Sequence, residues 1–361
     1  MQSHASAATV SLSLPDISRL TQTCDWSSCS RVDSGMDGSV VKIPVLKLQR
    51  VFPTLAIALF FLPLPSSAQL TTLRIGTNAG ASTEAVLFSV AKDAGILRQN
   101  QFDLDVVYIA GGTLSMQALV GKSLDFLCTG GTPFIYASLE GAQAKIIGGI
   151  NNRLPYALIA SGNISSANQL KGKKIGISRF GSTDDFALKL ALSQLGLNPK
   201  ADVTILQIGG PATRFSALRA GSVDATVLTT GLAQIAVKSG QTLLVDLIEK
   251  DIEYQQVALI SREESLRSRA GMTKRFMKAY LEGIRYYKNQ KEVAIRKTMA
   301  LLKTNDREIA EIDYNQRART LPDDGRPTVK GLQLALDDIA KDNPKAKSLT
   351  VQQLIDLSFI P

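Results

Sequence analysis

The sequence predicts an α/β protein: two lobes, each a mostly parallel sheet covered by helices, joined by a two-strand hinge and followed by a helical C-terminal tail packed on the first lobe. Three observations predict it. Short β-branched runs alternate with longer segments of helical period. The alternating pattern recurs once, at an offset of 98 to 100 residues. Beyond Ser261 the pattern becomes helical throughout. Of 361 residues, 45% are apolar and 20% charged, enough to build a packed core, and the length suits two domains of about 150 residues each.

The first informative stretch is Met36 to Gln69. Lys42, Lys47 and Arg50 precede the apolar run VFPTLAIALFFLPL, and Ser66, Ser67 and Ala68 follow it. This is the order of a secretory signal peptide, residues 36–68. Pro53 and Pro63 interrupt the apolar run, which is shorter than the ~20 residues a membrane span needs. Residues 1–35 are then expected to be untranslated or without fold, with translation starting at Met36, and the mature chain is expected to start at Gln69.

Charge and rare residues exclude several classes. Lys and Arg outnumber Asp and Glu by 41 to 32, but they are scattered, so nucleic acid is not an expected partner. The only histidine is His4, and the cysteines are Cys24, Cys29 and Cys128. From Gln69 onward there is no histidine and a single thiol, which argues against a metal site, a disulfide or Ser-His-Asp hydrolysis. No cofactor is expected. With no base to activate it, Cys128 reads as a packed thiol rather than a nucleophile.

The first lobe opens with the strand TLRIGT, a helix over Thr83 to Asp93, the strand DLDVVYI, a helix over Ser115 to Val120, the strand LDFLC, a helix near Ile135 to Leu139, and the strand AKIIGG. RIGTNAGASTEAVLFSVAKDAGIL from Arg74 then aligns without gaps to KIGISRFGSTDDFALKLALSQLGL from Lys174. VYIAGG parallels LQIGG, and ALVGKSLD parallels ALRAGSVD, in the same order. Alternation of this kind gives a parallel sheet whose ligands bind at the carboxyl ends of the strands. The apolar stretches Leu154–Ala160 and Glu253–Ser261 are the expected hinge strands. They assign residues 69–157 and 257–361 to the first lobe and 158–256 to an inserted second lobe. In the tail, Met272, Phe276, Tyr280, Ile284 and Tyr287 share one helix face, and Leu332, Ala335, Leu336 and Ile339 another.

RIGTNAG, the helix ending in DAGIL, GGTLSMQALVGKSLDF with its following TGG, NQLKGKKIGISRFGS and ALRAGSVDATVL together resemble the periplasmic substrate-binding proteins of ABC importers, of the nitrate, taurine and aliphatic-sulfonate group. The resemblance covers about Leu73 to Ile260 well and the tail loosely. It implies the type II periplasmic binding protein fold, with Rossmann-like lobes. It implies a monomer in the periplasm that captures a small polar or anionic molecule and delivers it to an ABC permease and its ATPase. It also implies no catalysis. An enzyme of the same bilobed fold, or a ligand-binding sensor component, are the alternatives.

Candidate ligand contacts lie where strands end and helices begin, because small residues admit a ligand to the backbone and helix starts offer unpaired N–H groups. In the first lobe these are Asn78, Gly80, Ser82, Thr83, Gly112, Thr113, Thr129, Gly130 and Gly131, with Asn151 near the hinge on the cleft floor. In the second they are Arg179, Gly181, Ser182, Thr183, Thr229 and Thr230. The serines and threonines suit helix capping equally well. Arg179 is expected to face the Ser82 and Thr83 helix start as an anion clamp.

Overall fold

The computed structural model describes residues 69–361; the expected leader at 36–68, residues 1–35, and with them His4, Cys24 and Cys29, lie outside the described residues. No helix among the described residues is long and apolar enough to cross a membrane.

The chain begins with β1 (Thr71–Thr77), α1 (Thr83–Asp93), α2 (Ile96–Gln99), β2 (Phe102–Tyr108), α3 (Gly112–Val120), β3 (Phe126–Thr129), α4 (Gly131–Leu139) and β4 (Ala144–Arg153). It passes to the second sheet with β5 (Tyr156–Ala160), α5 (Ala167–Leu170), β6 (Lys174–Ile177), α6 (Thr183–Gln194), β7 (Thr204–Gln207), α7 (Pro211–Arg219), β8 (Ala225–Thr229), α8 (Thr230–Lys238) and β9 (Thr242–Asp246). It returns with β10 (Glu253–Arg262) and closes with α9 (Glu263–Ser268), α10 (Ala270–Asn289), α11 (Lys291–Leu302), α12 (Arg307–Thr320), α13 (Val329–Asp342) and α14 (Val351–Leu354).

The strand orders are β2-β1-β3-β10-β4 and β7-β6-β8-β5-β9. Each sheet holds three parallel strands, β2-β1-β3 and β7-β6-β8, with its fourth strand antiparallel to both neighbours. The duplication is thus a duplication of topology, and the lobes exchange one strand: β10 returns from the second lobe to fill the fourth position of the first sheet. This corrects the expected hinge. The apolar stretches at Leu154–Ala160 and Glu253–Ser261 supply sheet strands β5 and β10, because their β-branched and apolar side chains are buried within a sheet. The crossings themselves are short, Leu154–Pro155 and 247–252, tied by Leu154 N–H donating to Ile252 O at 3.1 Å. The expected boundaries at 157/158 and 256/257 therefore fall inside β5 and β10.

The repeated Asp in KSLD and GSVD fastens each parallel sheet at the end away from the strand carboxyl termini. Asp125 accepts from Arg74 N–H at 2.9 Å and Asp224 from Lys174 N–H at 2.8 Å. Fully buried Phe276 of α10 anchors the tail to the first lobe, stacking on Phe126 at 4.6 Å between ring centroids and meeting Phe102 edge-on at 5.9 Å. Helix α10 packs on α1, and α13 on α4 and β10, through the faces read from the sequence. Helix α12 differs: it packs on α8 of the second lobe as well as on β4 of the first.

Candidate functional site

Six helix starts meet at one cavity between the lobes. Ser82 and Thr83 (α1), Gly112 (α3), Gly130 (α4), Ser182 and Thr183 (α6), Pro211 (α7) and Thr230 (α8) all line it, with Asn151 and Gln256 toward the hinge. Its volume is about 620 Å³, within the range of sites that enclose a small molecule. Every one of these helices is long enough to carry a dipole, and the start of each, its positive end, lines the cavity.

The repeat builds the two principal walls alike. Ser82 Oγ accepts from Ala85 N–H at 3.3 Å and Ser182 Oγ from Asp185 N–H at 3.4 Å, so both serines are helix caps as well as lining residues. Asn78 spends both amide hydrogens on Ile109 O and Ser115 Oγ, and accepts from Thr129 Oγ1 at 2.6 Å. Asn78 and Thr129 thereby pin β1, β3 and α3 together, and the surface they offer the cavity is largely prespent. Gly80, Thr229 and Thr230 also line it; Thr230 Oγ1 is buried and has no hydrogen-bond partner among the described residues.

Four expected contacts lie elsewhere. Arg179 is exposed, and its methylene stem lies over Gly111, where an added methyl group would sit 2.9 Å from Arg179 Cγ. It does not line the cavity beside Ser82 and Thr83, so the expected clamp is not formed by this residue. Thr113 Oγ1 donates across the cleft to Phe180 O at 3.2 Å, and Gly181, at φ +73°, faces the Tyr136 ring. These belong to the lip where one lobe touches the other. Gly131 is packed against Leu332 and Gln255.

The buried charges of the site come from positions the sequence reading did not single out. Arg214 of α7 is 2% exposed; it pairs with Asp184 at 3.2 Å and donates to Gly209 O, Val227 O and Thr226 Oγ1. Asp184 in turn accepts from Ser178 N–H and Ser178 Oγ, each at 2.6 Å, and from Ser182 Oγ. From the tail, Arg317 of α12 pairs with Asp313 and donates to Thr83 Oγ1 and Ala81 O. Asp313 also accepts from Gly231 N–H at 3.0 Å. Asp313 and Arg317 thus connect the α8 start of the second lobe to the α1 start of the first. Glu84, in the first turn of α1, is 1% exposed; burial pushes its carboxyl up, against the pull of the Ser82 hydroxyl and Arg317. Burial, with Glu84 beside it, also pushes the Cys128 thiol well up, which leaves it a poor nucleophile. No cluster of His, Cys, Asp and Glu suited to a metal occurs among the described residues.

The fold is that of two-lobed periplasmic binding proteins. By fold the chain is similar to the alkanesulfonate-binding protein SsuA from Xanthomonas axonopodis pv. citri, solved bound to MOPS (TM-score 0.66, 19% identity, covering 79% of this chain and 98% of that one). It is also similar to the periplasmic nitrate-binding protein NrtA from Synechocystis PCC 6803 (TM-score 0.64, 15% identity, 81% of this chain and 87% of that one). The NMT1/THI5 like family model matches residues 82–294, more than half of the chain, and the protein belongs to that family. In sequence it is 32% identical over 181 residues to a Brucella abortus (strain 2308) protein named as a binding protein, covering 49% of this chain and 54% of that relative. The chain spans about half the length of the curated relatives it matches.

Proposed function

We propose that the protein is the solute-binding component of an ABC importer: it works in the periplasm as a monomer, encloses a small polar molecule between its lobes, and hands it to a permease driven by an ATPase. The observation that carries this reading is the interlobe cavity at the carboxyl ends of both parallel sheets, lined by six helix starts and by residues of both lobes. Binding without catalysis is supported by the chemistry of the wall. The cavity's one thiol is buried and held protonated, and its two arginines are each engaged by a carboxylate of the protein itself. The names of SsuA and NrtA favour a small oxygen-rich or nitrogenous solute for those proteins, and the same class is the natural starting set here.

The test is a thermal-melting screen of the purified protein against sulfonates, carboxylates, nitrate, amino acids and nitrogen heterocycles. A true solute at 100 times its dissociation constant raises stability by about 2.7 kcal/mol. Melting that no member of the set shifts overturns the solute-binding reading.

A further inference from the structure

The duplication supplies an internal control for one residue of the cavity. Glu84 and Asp184 stand at the same position of the repeat, one residue after Thr83 and Thr183, in the first turns of α1 and α6. Both are buried, both line the cavity, and both follow a capping serine. Their surroundings differ. Asp184 is fully occupied, by Ser178 N–H, the hydroxyls of Ser178 and Ser182, and Arg214. In the first lobe, Asn78 replaces Ser178 and turns its amide to Ile109, Ser115 and Thr129 instead, while α3 carries no charged residue to match Arg214 of α7. The nearest guanidinium, Arg317, is taken by Asp313, Thr83 and Ala81. The Ser82 hydroxyl and the residue's own backbone N–H pull on the Glu84 carboxyl, but Glu84 Oε2 is left buried with no hydrogen-bond partner among the described residues.

A buried carboxylate oxygen without a donor is costly, and such a cost in a cavity wall is offset when the ligand brings the donor. The charges agree. The buried wall holds two arginines, Arg214 and Arg317, against three carboxyls, Asp184, Asp313 and Glu84, with the only other cation, Lys303, exposed at the rim. The α1 helix start, which would otherwise favour an anion, already has a carboxyl of its own beside it.

Resting on the solute-binding reading, we propose that Glu84 recognises the solute through an N–H or ammonium group, so that the solute is a zwitterion or a neutral N–H-bearing molecule rather than a simple oxyanion. The acceptor end of such a solute then faces the α6, α7 and α8 starts of the second lobe, and Glu84 orients it.

Matched pairs that differ by one amine test this: β-alanine against propanoate, and aminomethanesulfonate against methanesulfonate, each followed by thermal melting and calorimetric titration. The amine-bearing members are expected to bind roughly tenfold to a hundredfold more tightly than their partners, and Glu84→Gln to abolish that preference while the unliganded variant still melts cooperatively. Equal or tighter binding of propanoate or methanesulfonate to the wild type overturns this inference and leaves solute binding standing. So does an amine preference that survives in Glu84→Gln. If neither these pairs nor the wider screen shifts the melting, the solute-binding reading falls and this one with it.

Discussion

Asp313 and Arg317 show how much of this site rests on single side chains. They lie four residues apart on α12, 3% and 8% exposed at their side chains, and their charges are matched only while both are present. Breaking a buried pair from one side leaves an uncompensated charge, which costs about 3–5 kcal/mol. Asp313→Asn should therefore lower the denaturant midpoint by that equivalent with little change in m-value, measured by urea unfolding. Glu84 carries the opposite balance. Its folded-state carboxyl is pushed above the ordinary value of 4.5, so its neutral form favours folding at low pH, and that contribution is lost as pH rises through the folded-state value. At neutral pH the buried charge is a cost. Unliganded Glu84→Gln should melt above the wild type at neutral pH, and the difference should shrink as pH falls toward 4.5; a difference that grows on acidification would contradict the burial argument. At this scale the sequence showed the caps clearly, since Ser82 and Ser182 precede helical patterns in a repeated motif. It did not show Arg317, which no repeat and no motif connects to Thr83, 234 residues earlier. The pairing of Glu84 with Asp184 was present in the repeat, but only the partners around them separate an open carboxyl from a satisfied one.

Elements were legible where their periodicity was strong. The parallel strands and the helices that follow them came directly from the alternating pattern, and so did the apolar faces of α10 and α13. Phe276→Ala, which empties the space between Phe88, Phe102 and Phe126, should cost about 3–5 kcal/mol of stability, measured by chemical unfolding. Two features escaped for physical reasons. An apolar β-branched run states that a segment is buried in a sheet and is silent on which sheet, so β5 and β10 read as hinge strands. Helix α12 has few apolar residues, and half of what it buries is Asp313, Arg317 and Thr320, so no hydrophobic stripe marks the helix that seals the cavity. The helix starts also set how closely the lobes approach. A methyl group added at Gly130 would sit 1.8 Å from Thr183 Oγ1 across the cleft, while the glycine's own φ of −73° suits any residue. Gly130→Ala should leave each lobe folded, with an unliganded melting temperature close to wild type, and weaken solute binding by blocking closure. Unchanged affinity in this variant would show that the lobes do not need to meet at α4 and α6.

At the scale of the whole molecule, closure is held by a distributed set of contacts. Thr113 meets Phe180 at the lip, Phe186 stacks on Tyr254 at 4.6 Å near the hinge, and α12 reaches both lobes, with Lys238 of α8 paired to Asp306 and Glu308 at its start. The exposed ion pairs contribute little each; the buried connection from Gly231 through Asp313 and Arg317 to Thr83 and Ala81 is the one that lines the cavity. Opening therefore requires the tail to release one lobe, and a solute that bridges the α1 and α8 starts favours the closed form by its differential contacts. Small-angle X-ray scattering of the protein, first freed of bound solute and then saturated with the best solute from the melting screen, tests this most directly. Saturation is expected to reduce the radius of gyration to that of the structure described above. A solute that raises the melting temperature while leaving the scattering profile unchanged would contradict capture by closure between the lobes.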